Sequence, residues 1–463
     1  MIVRNYGSEI NAVFQTGNQI FAYFCLIESG MGMAYQFRLY EPIQNRNINR
    51  IMALFAGLKK SMKKVAIKMF IALIGIAIIF PFLMNRISLS AKAAGWMIFL
   101  LGFRLVIPYF NCMASKAFLN VYDYRYLVDV LDSVVYIAIA LTELLLIMLY
   151  HPSIYIILSV GCICNIVLGL IYMILVWHLC EDVKGKSVSA DLEPEKMTHD
   201  IFLMQISGLM NSNIDVIILS IQNIMLVTPY QAYNSIMSYM FKVINKIDEN
   251  YRTKIGLKIE RGDSDLHAYF QKFMSYHMIL AIIFISLFTL NINDLIFLWL
   301  GKEFQLSTTC VLLMAFYLIH AMTRDILYLV RDGAGLYKES KWMAFREGMA
   351  NLILSVVLVR YWGIEGVLFA TVFATYTMFI PKNSKLVYQV LKEKNTLWMD
   401  YILIGIISAL LVAFFHMVMD GHKNISWMRL VANVFFEGIV CSAVSLLTVF
   451  LCKKKYLMNH GKG

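Results

Sequence analysis

Charged residues are scarce in this chain: 15% of its 463 positions, against 60% that are hydrophobic. A soluble domain of that make-up lacks the polar surface to stay in solution. Also missing is any strand-length run of alternating apolar and polar residues, which leaves helices as the spans a bilayer would accept. No G-x-x-x-x-G-K-[ST] occurs, so a phosphate cradle for ATP is excluded and an ion gradient or the substrate's own gradient must drive any transport. Of the eight cysteines, Cys25, Cys112, Cys162, Cys164, Cys310 and Cys441 fall within apolar stretches, and Cys180 and Cys452 fall at their ends. Neither a disulfide framework nor a zinc spacing emerges. No basic segment precedes the first apolar stretch, so no cleavable signal peptide is expected.

What the chain does have is thirteen apolar stretches of about twenty residues each, the length a helix needs to cross the hydrocarbon at about 1.5 Å per residue. The expected spans are 10–37, 65–85, 93–115, 127–150, 153–179, 200–223, 225–247, 272–299, 306–331, 341–360, 363–381, 398–418 and 429–451. The formal net charge of +11 would suggest nucleic acid in a soluble protein, but here the cations sit at helix ends and no nucleic acid is expected. Alternate connections, counted with the parts of the spans that adjoin them, hold 33 of the 41 basic residues, among them Arg46, Arg50, Lys59, Lys60, Lys63 and Lys64 in one and Arg252, Lys254, Lys258 and Arg261 in another. Those connections, with the tail Lys453-Lys454-Lys455, are expected to face the cytoplasm, and the N-terminus the outside. The opposite turns, around Asn85, His151, Gly301 and Trp362, are too short to hold a catalytic domain, so the chain is not expected to be an enzyme. No metal cluster or cofactor motif is present in the cytoplasmic connections.

Polar residues within spans cost a few kcal/mol on insertion scales, so they are expected to face protein or water. In 93–115, Arg104, Pro108, Asn111 and Ser115 recur at helical steps and share a stripe. Arg104 is the strongest functional candidate, with a snorkelling or helix-pairing arginine as the plainer reading. A second stripe runs through Gln205, Gly208, Ser212, Asp215 and Gln222, and a third through Gln231, Asn234, Ser238, Lys242 and Asn245. Interhelical hydrogen bonding accounts for any one of these residues, whereas two successive stripes ending in charges point to a wet face. The face Tyr317, His320, Arg324, Tyr328 and Arg331 grows more basic along its length, as a funnel for an anion or as ordinary helix-end cations. Glu28 and Glu143 are the acidic counterparts. Each either neutralises a buried arginine or binds the Na⁺ or H⁺ of a coupled cycle, with His320 a weaker candidate for a proton relay.

Together these stripes predict a water-filled cavity of positive potential within an apolar bundle, suited to a polar anion. Several stretches carry a family resemblance: Arg4-Asn5-Tyr6-Gly7-Ser8-Glu9-Ile10-Asn11, Leu26-Ile27-Glu28-Ser29-Gly30-Met31-Gly32, Arg38-Leu39-Tyr40-Glu41-Pro42, Asn211-Ser212-Asn213-Ile214-Asp215 and Gly363-Ile364-Glu365-Gly366-Val367-Leu368-Phe369-Ala370-Thr371. They resemble the Wzx-type polysaccharide flippases of the multidrug/oligosaccharidyl-lipid/polysaccharide exporter superfamily.

The resemblance implies an all-α polytopic membrane protein with two lobes around a central cavity, the first family helix missing here because the Arg4–Asn11 motif stands at the very start. The lobes would be 1–199 with about five helices and 200–394 with six, followed by two further helices and a basic tail in 395–463. It also implies flipping of undecaprenyl-pyrophosphate-linked oligosaccharide across the bacterial inner membrane for O-antigen or capsule assembly, beside a polysaccharide polymerase and a chain-length regulator. The stripes, not the resemblance, then assign the pyrophosphate to Arg104 with Lys242, Arg324 or Arg331, and hydrogen bonds to the sugars to Asn111, Gln205, Asn211 and Asn234, with Asp215 also expected to bind substrate. The competing expectation is a cation-coupled exporter of small molecules on the same scaffold, working through Glu28, Glu143 and Asp215.

Overall fold

A computed structural model describes residues 2–28, 31–84, 88–122, 124–180, 189–192, 214–419 and 426–458. It is all helix, with no strand among the described residues. The chain forms two compact units, residues 1–227 and 228–463.

The first unit opens with α1 (Ile2–Tyr6), α2 (Ser8–Ala22), α3 (Cys25–Glu28) and α4 (Met31–Gln44). The expected span 10–37 is thus divided among three helices, with a turn at Tyr23 and Phe24 between the first two. Next comes α5 (Ile48–Leu83), begun by the Asn47 side chain, which accepts from the Arg50 N–H at 3.2 Å. It starts well before the apolar stretch does. Lys59, Lys60, Lys63 and Lys64 therefore ride on a helix whose other face buries Leu54, Leu58 and Met62. After Ser90 caps the Ala93 N–H, α6 (Ala91–Asn111), α7 (Met113–Val121), α8 (Arg125–Tyr150) and α9 (Ile154–Leu179) follow, and residues 214–222 (α10) are again helical. A core of Tyr35, Leu39, Phe55, Phe118, Leu119 and Tyr172 joins α4, α5, α7 and α9. By contrast, α8 buries only Val128, Ile139 and Ile147, leaving an apolar face open to lipid.

The second unit contains α11 (Val227–Arg261), α12 (Leu266–Trp299), α13 (Thr308–Ala321), α14 (Arg324–Gly333), α15 (Tyr337–Ala374), α16 (Ile380–Leu391), α17 (Leu397–Met419) and α18 (Trp427–Met458), with a π turn at Thr375–Phe379. Helix α12 forms its spine and packs on both α17 and α18. Helix α15 is really a hairpin. Gly363 at φ 55° and ψ −125° breaks the helical path, and beyond it Thr375 returns to donate to Glu347 at 2.8 Å. Twenty-eight residues of straight helix would separate those side chains by about 42 Å.

Nine helical runs among the described residues are long and apolar enough to cross a membrane. One of them, Trp342–Leu391, contains the hairpin and so accounts for both 341–360 and 363–381. Three expected spans make up the difference from thirteen. The first is the divided 10–37, most of 200–223 lies outside the described residues, and 225–247 belongs to α11, whose polar residues keep it off that count. The chain is a multi-pass membrane protein with an all-α fold.

Candidate functional site

Arg104 leaves α6 toward α8 and α9. Its guanidinium Nη1 donates to Glu143 Oε1 at 2.8 Å, and both side chains are about three-quarters buried. Asn165 of α9 donates to the Arg104 carbonyl at 3.3 Å and to the Gly161 carbonyl at 2.9 Å. Two turns on, Asn111 donates to the Asn165 and Ile166 carbonyls at 3.4 and 3.5 Å. Glycines make this packing possible: a Cβ on Gly161 would stand 2.4 Å from the Arg104 Nε, and one on Gly169 2.1 Å from the Asn111 Nδ2. The polar stripe of α6 thus fits two notches in α9. Its arginine carries a matched counter-charge from α8.

Elsewhere in the first unit, Glu28 Oε1 accepts from the Gly32 N–H at 2.8 Å, holding the start of α4. Asp215 is buried on α10, with the Tyr23 phenol within electrostatic reach. Gln205 and Asn211 lie outside the described residues. The Arg4–Asn11 motif works as a tie between turns. The Tyr6 hydroxyl donates to the Pro152 carbonyl at 2.7 Å, and the Glu9 carboxylate accepts from the Ser88 N–H and hydroxyl and from the Leu89 N–H, the last at 3.0 Å. Burial pushes the Glu9 carboxyl up, but these hydrogen bonds outweigh it and leave the group below the usual carboxylate range.

In the second unit, the stripe beginning at Tyr317 is interrupted at Met322–Thr323, where α13 ends and α14 starts afresh. His320 is buried, with Nδ1 2.9 Å from the Tyr401 hydroxyl, to which Thr323 also donates at 3.0 Å. Past the break, Arg324 and Arg331 flank the Tyr328 ring at 5.5 and 4.1 Å from its centroid. Arg324 lies 3.5 Å from the Asp325 carboxylate, and its side chain keeps 36% of its accessibility. On α11, Asn234 is half-buried, whereas Lys242 is exposed, its ammonium 4.7 Å from the Tyr239 centroid.

The structure therefore brings Arg104 to Glu143 in one unit and gathers His320, Arg324 and Arg331 along one helix pair in the other. Asn234 and Lys242 stand on α11, where the Asn234 carbonyl accepts from Ser238 and Lys242 covers Tyr239, both neighbours on the same helix.

Several polar groups escaped sequence reasoning. Asp248 meets His277 at 2.7 Å, Glu347 accepts from Thr375, and Asn351 accepts from both Ser355 and Thr371 at 3.1 and 3.2 Å. Lys453 of α18 reaches Asp400 of α17 at 2.8 Å and Gln271 of α12 at 2.9 Å, and Asn291 of α12 donates to Glu437 of α18. Spacing along one helix reveals stripes, but none of these pairs lies on one stripe except Asn351 with Ser355. A cavity of about 740 Å³ among α12, α13, α17 and α18 is lined by Asn291, Asn293, Asp294, Arg429, Asn433 and Glu437, and it adjoins an apolar groove of about 710 Å³ along α17. None of the residues expected from sequence lines either space.

No family model matches the chain, and no curated protein matches it. Solved structures do. The lipid II flippase MurJ in an inward closed conformation superposes with a TM-score of 0.72 at 13% identity, over 97% of this chain and 94% of that one. An inward-facing MATE family multidrug resistance transporter of the MOP superfamily gives 0.57 at 12% identity, over 85% and 93%. The MATE multidrug transporter DinF-BH gives 0.58 at 15%, over 85% and 91%. This chain has their fold. Identities this low carry the architecture of the MOP-superfamily transporters and leave the cargo to be argued from residues.

Proposed function

We propose that this protein is a flippase that moves polyprenyl-pyrophosphate-linked oligosaccharide units across the bacterial inner membrane for surface polysaccharide assembly, O-antigen or capsule. The observation that carries the reading is the likeness to a lipid II flippase along nearly the full length of both chains. The cationic faces of the two units add chemical support. A charged, sugar-bearing head cannot cross hydrocarbon unaided, so a carrier must offer it a wet cationic path while the isoprenoid tail stays in lipid. Arg331 takes the pyrophosphate in this reading, joined by Lys242 and by the partly exposed Arg324 once its contact with Asp325 loosens.

Arg104 contributes only when its bond to Glu143 opens, because the paired carboxylate cancels its attraction for an anion. Asn111, Gln205, Asn211, Asp215 and Asn234 line the path of the sugars. The cycle is alternating access of two lobes, 1–199 and 200–394, with 395–463 as an appended helix pair and cytoplasmic tail. A polymerase and a chain-length regulator would take up the delivered units.

The second reading is a cation-coupled small-molecule exporter, favoured by the likeness to two MATE transporters and by the buried carboxylate of Asp215. Removing the protein separates them. A flippase defect traps lipid-linked repeat units on the cytoplasmic face, and Arg324→Ala, expressed at the normal level, fails to restore their export. Intact surface glycan in the deletion strain, with raised drug sensitivity, would establish the exporter instead.

A further inference from the structure

Resting on the carrier reading, we propose that Asp248, His277 and Asp325 form a proton-binding site through which a pH gradient drives the cycle. The argument starts from hydrogen-bond arithmetic. His277 and Asp248 are almost wholly buried, and the two ring nitrogens of His277 both face acceptors: Nε2 lies 2.7 Å from Asp248 Oδ1, and Nδ1 lies 3.1 Å from the Phe273 carbonyl oxygen. A neutral imidazole owns one N–H and can satisfy only one of these contacts. Both contacts are satisfied together only when a second proton is shared between the ring and the Asp248 carboxyl. Asp248 Oδ2, also buried, accepts no hydrogen bond and is left as the pair's unused acceptor.

The surroundings make this proton matter. Asp325 of α14 is within electrostatic reach of both Asp248 and His277. The Asn245 amide, in the orientation that satisfies its hydrogen bonds, donates to Asp325 from α11. Arg324 flanks Asp325 at 3.5 Å, and Glu347 of α15, held by Thr375, stands within electrostatic reach of Arg324. With the proton bound, Asp248 and Asp325 are balanced by Arg324 and the His277 imidazolium, leaving Glu347 as the one carboxylate in excess. Without it, the cluster gains a further negative charge in a low-dielectric interior, an unfavourable state unless the helices part and admit water.

The element that can part is α14, which begins just after the break at Met322–Thr323 and carries both Arg324 and Asp325. A proton, rather than Na⁺, fits the site because a hard cation seeks several oxygen ligands and an imidazole wedged against a carboxylate offers too few. The cycle then moves one proton from water onto the Asp248/His277 pair on one side and releases it on the other as α14 shifts.

Full-length protein in proteoliposomes, with a fluorescent polyprenyl-pyrophosphate trisaccharide as probe, tests this. Wild type should exchange probe at equal pH and accumulate it under an imposed gradient, up to about tenfold per pH unit for one coupled proton. His277→Gln and Asp248→Asn should still exchange but lose the response to the gradient. A wild-type response retained in both variants, or no response in the wild type, overturns the proposal. If wild type exchanges no probe, the carrier reading fails instead, and the proton site is decided by ¹⁵N-histidine NMR with infrared spectra at neutral pH. A doubly protonated His277 ring or a protonated Asp248 carboxyl, assigned through the two variants, supports it. A singly protonated ring beside ionised carboxylates sinks it.

Discussion

Single atoms decide how the polar groups of this protein are held. At Gly161 a methyl group would collide with the Arg104 side chain. Gly161→Ala should therefore lower the thermal midpoint of the solubilised protein, at a cost of about 1–3 kcal/mol for overpacking. Gly75→Ala, in the interior of α5 where nothing lies within 4 Å, should not lower the midpoint and should raise it slightly through helix propensity. Glu9 offers a pH-dependent counterpart. Its carboxyl is depressed in the folded state, so its tie to Ser88 and Leu89 is in place at neutral pH and is lost as the pH falls through the depressed value. Because Glu9 is only partly buried the tie is modest, and Glu9→Gln at pH 7 should speed amide exchange of residues 88–90 by about fivefold, or ~1 kcal/mol. Unchanged exchange would show that these bonds hold nothing.

At the scale of helices, the two halves of α15 depend on Gly363. Its φ 55° and ψ −125° suit glycine alone, and Gly363→Ala should cost about 1–3 kcal/mol and loosen the Glu347–Thr375 contact, read as lowered stability in urea or detergent titration. The hairpin was legible in the sequence because two apolar stretches meet at Tyr361-Trp362-Gly363. The breaks were harder to read. An apolar run such as 10–37 has the same composition whether its helix is whole or divided, and the turn at Tyr23–Phe24 contains no glycine or proline to mark it. The start of α5 was hidden for the opposite reason: lysines suggest a connector, and only their helical spacing against Leu54, Leu58 and Met62 reveals a face.

Site residues followed the same rule. The α6 stripe was visible in its period, and Glu143 stood out as a carboxylate in an apolar span. Asp248 fell one residue past an expected span edge and His277 sat on a different helix, so nothing in either stretch announced their meeting.

For the whole molecule, membrane sidedness is the broadest expectation, and chemical labelling checks it. With a cysteine-free background, Trp362→Cys and Ser153→Cys should react with an impermeant maleimide added to intact cells. Lys64→Cys and Lys258→Cys should react only after the membrane is opened. Labelling of the second pair in intact cells would invert the topology. Lys258 also marks the end of a long helix: its ammonium is bound by Asp265, at 2.8 Å to each oxygen, and by Asp263 at 3.5 Å, which raises its pKa and ties the turn between α11 and α12.

The buried ammonium of Lys453 sets a rule for anyone attaching a reporter. A fluorescent protein or affinity tag joined after Cys452 would delete the lysine, strand the Asp400 carboxylate in an apolar setting and leave Gln271 without its donor, so the fusion should be degraded or misassembled. The same tag placed beyond Met458 keeps the clasp and should report faithfully on the intact protein.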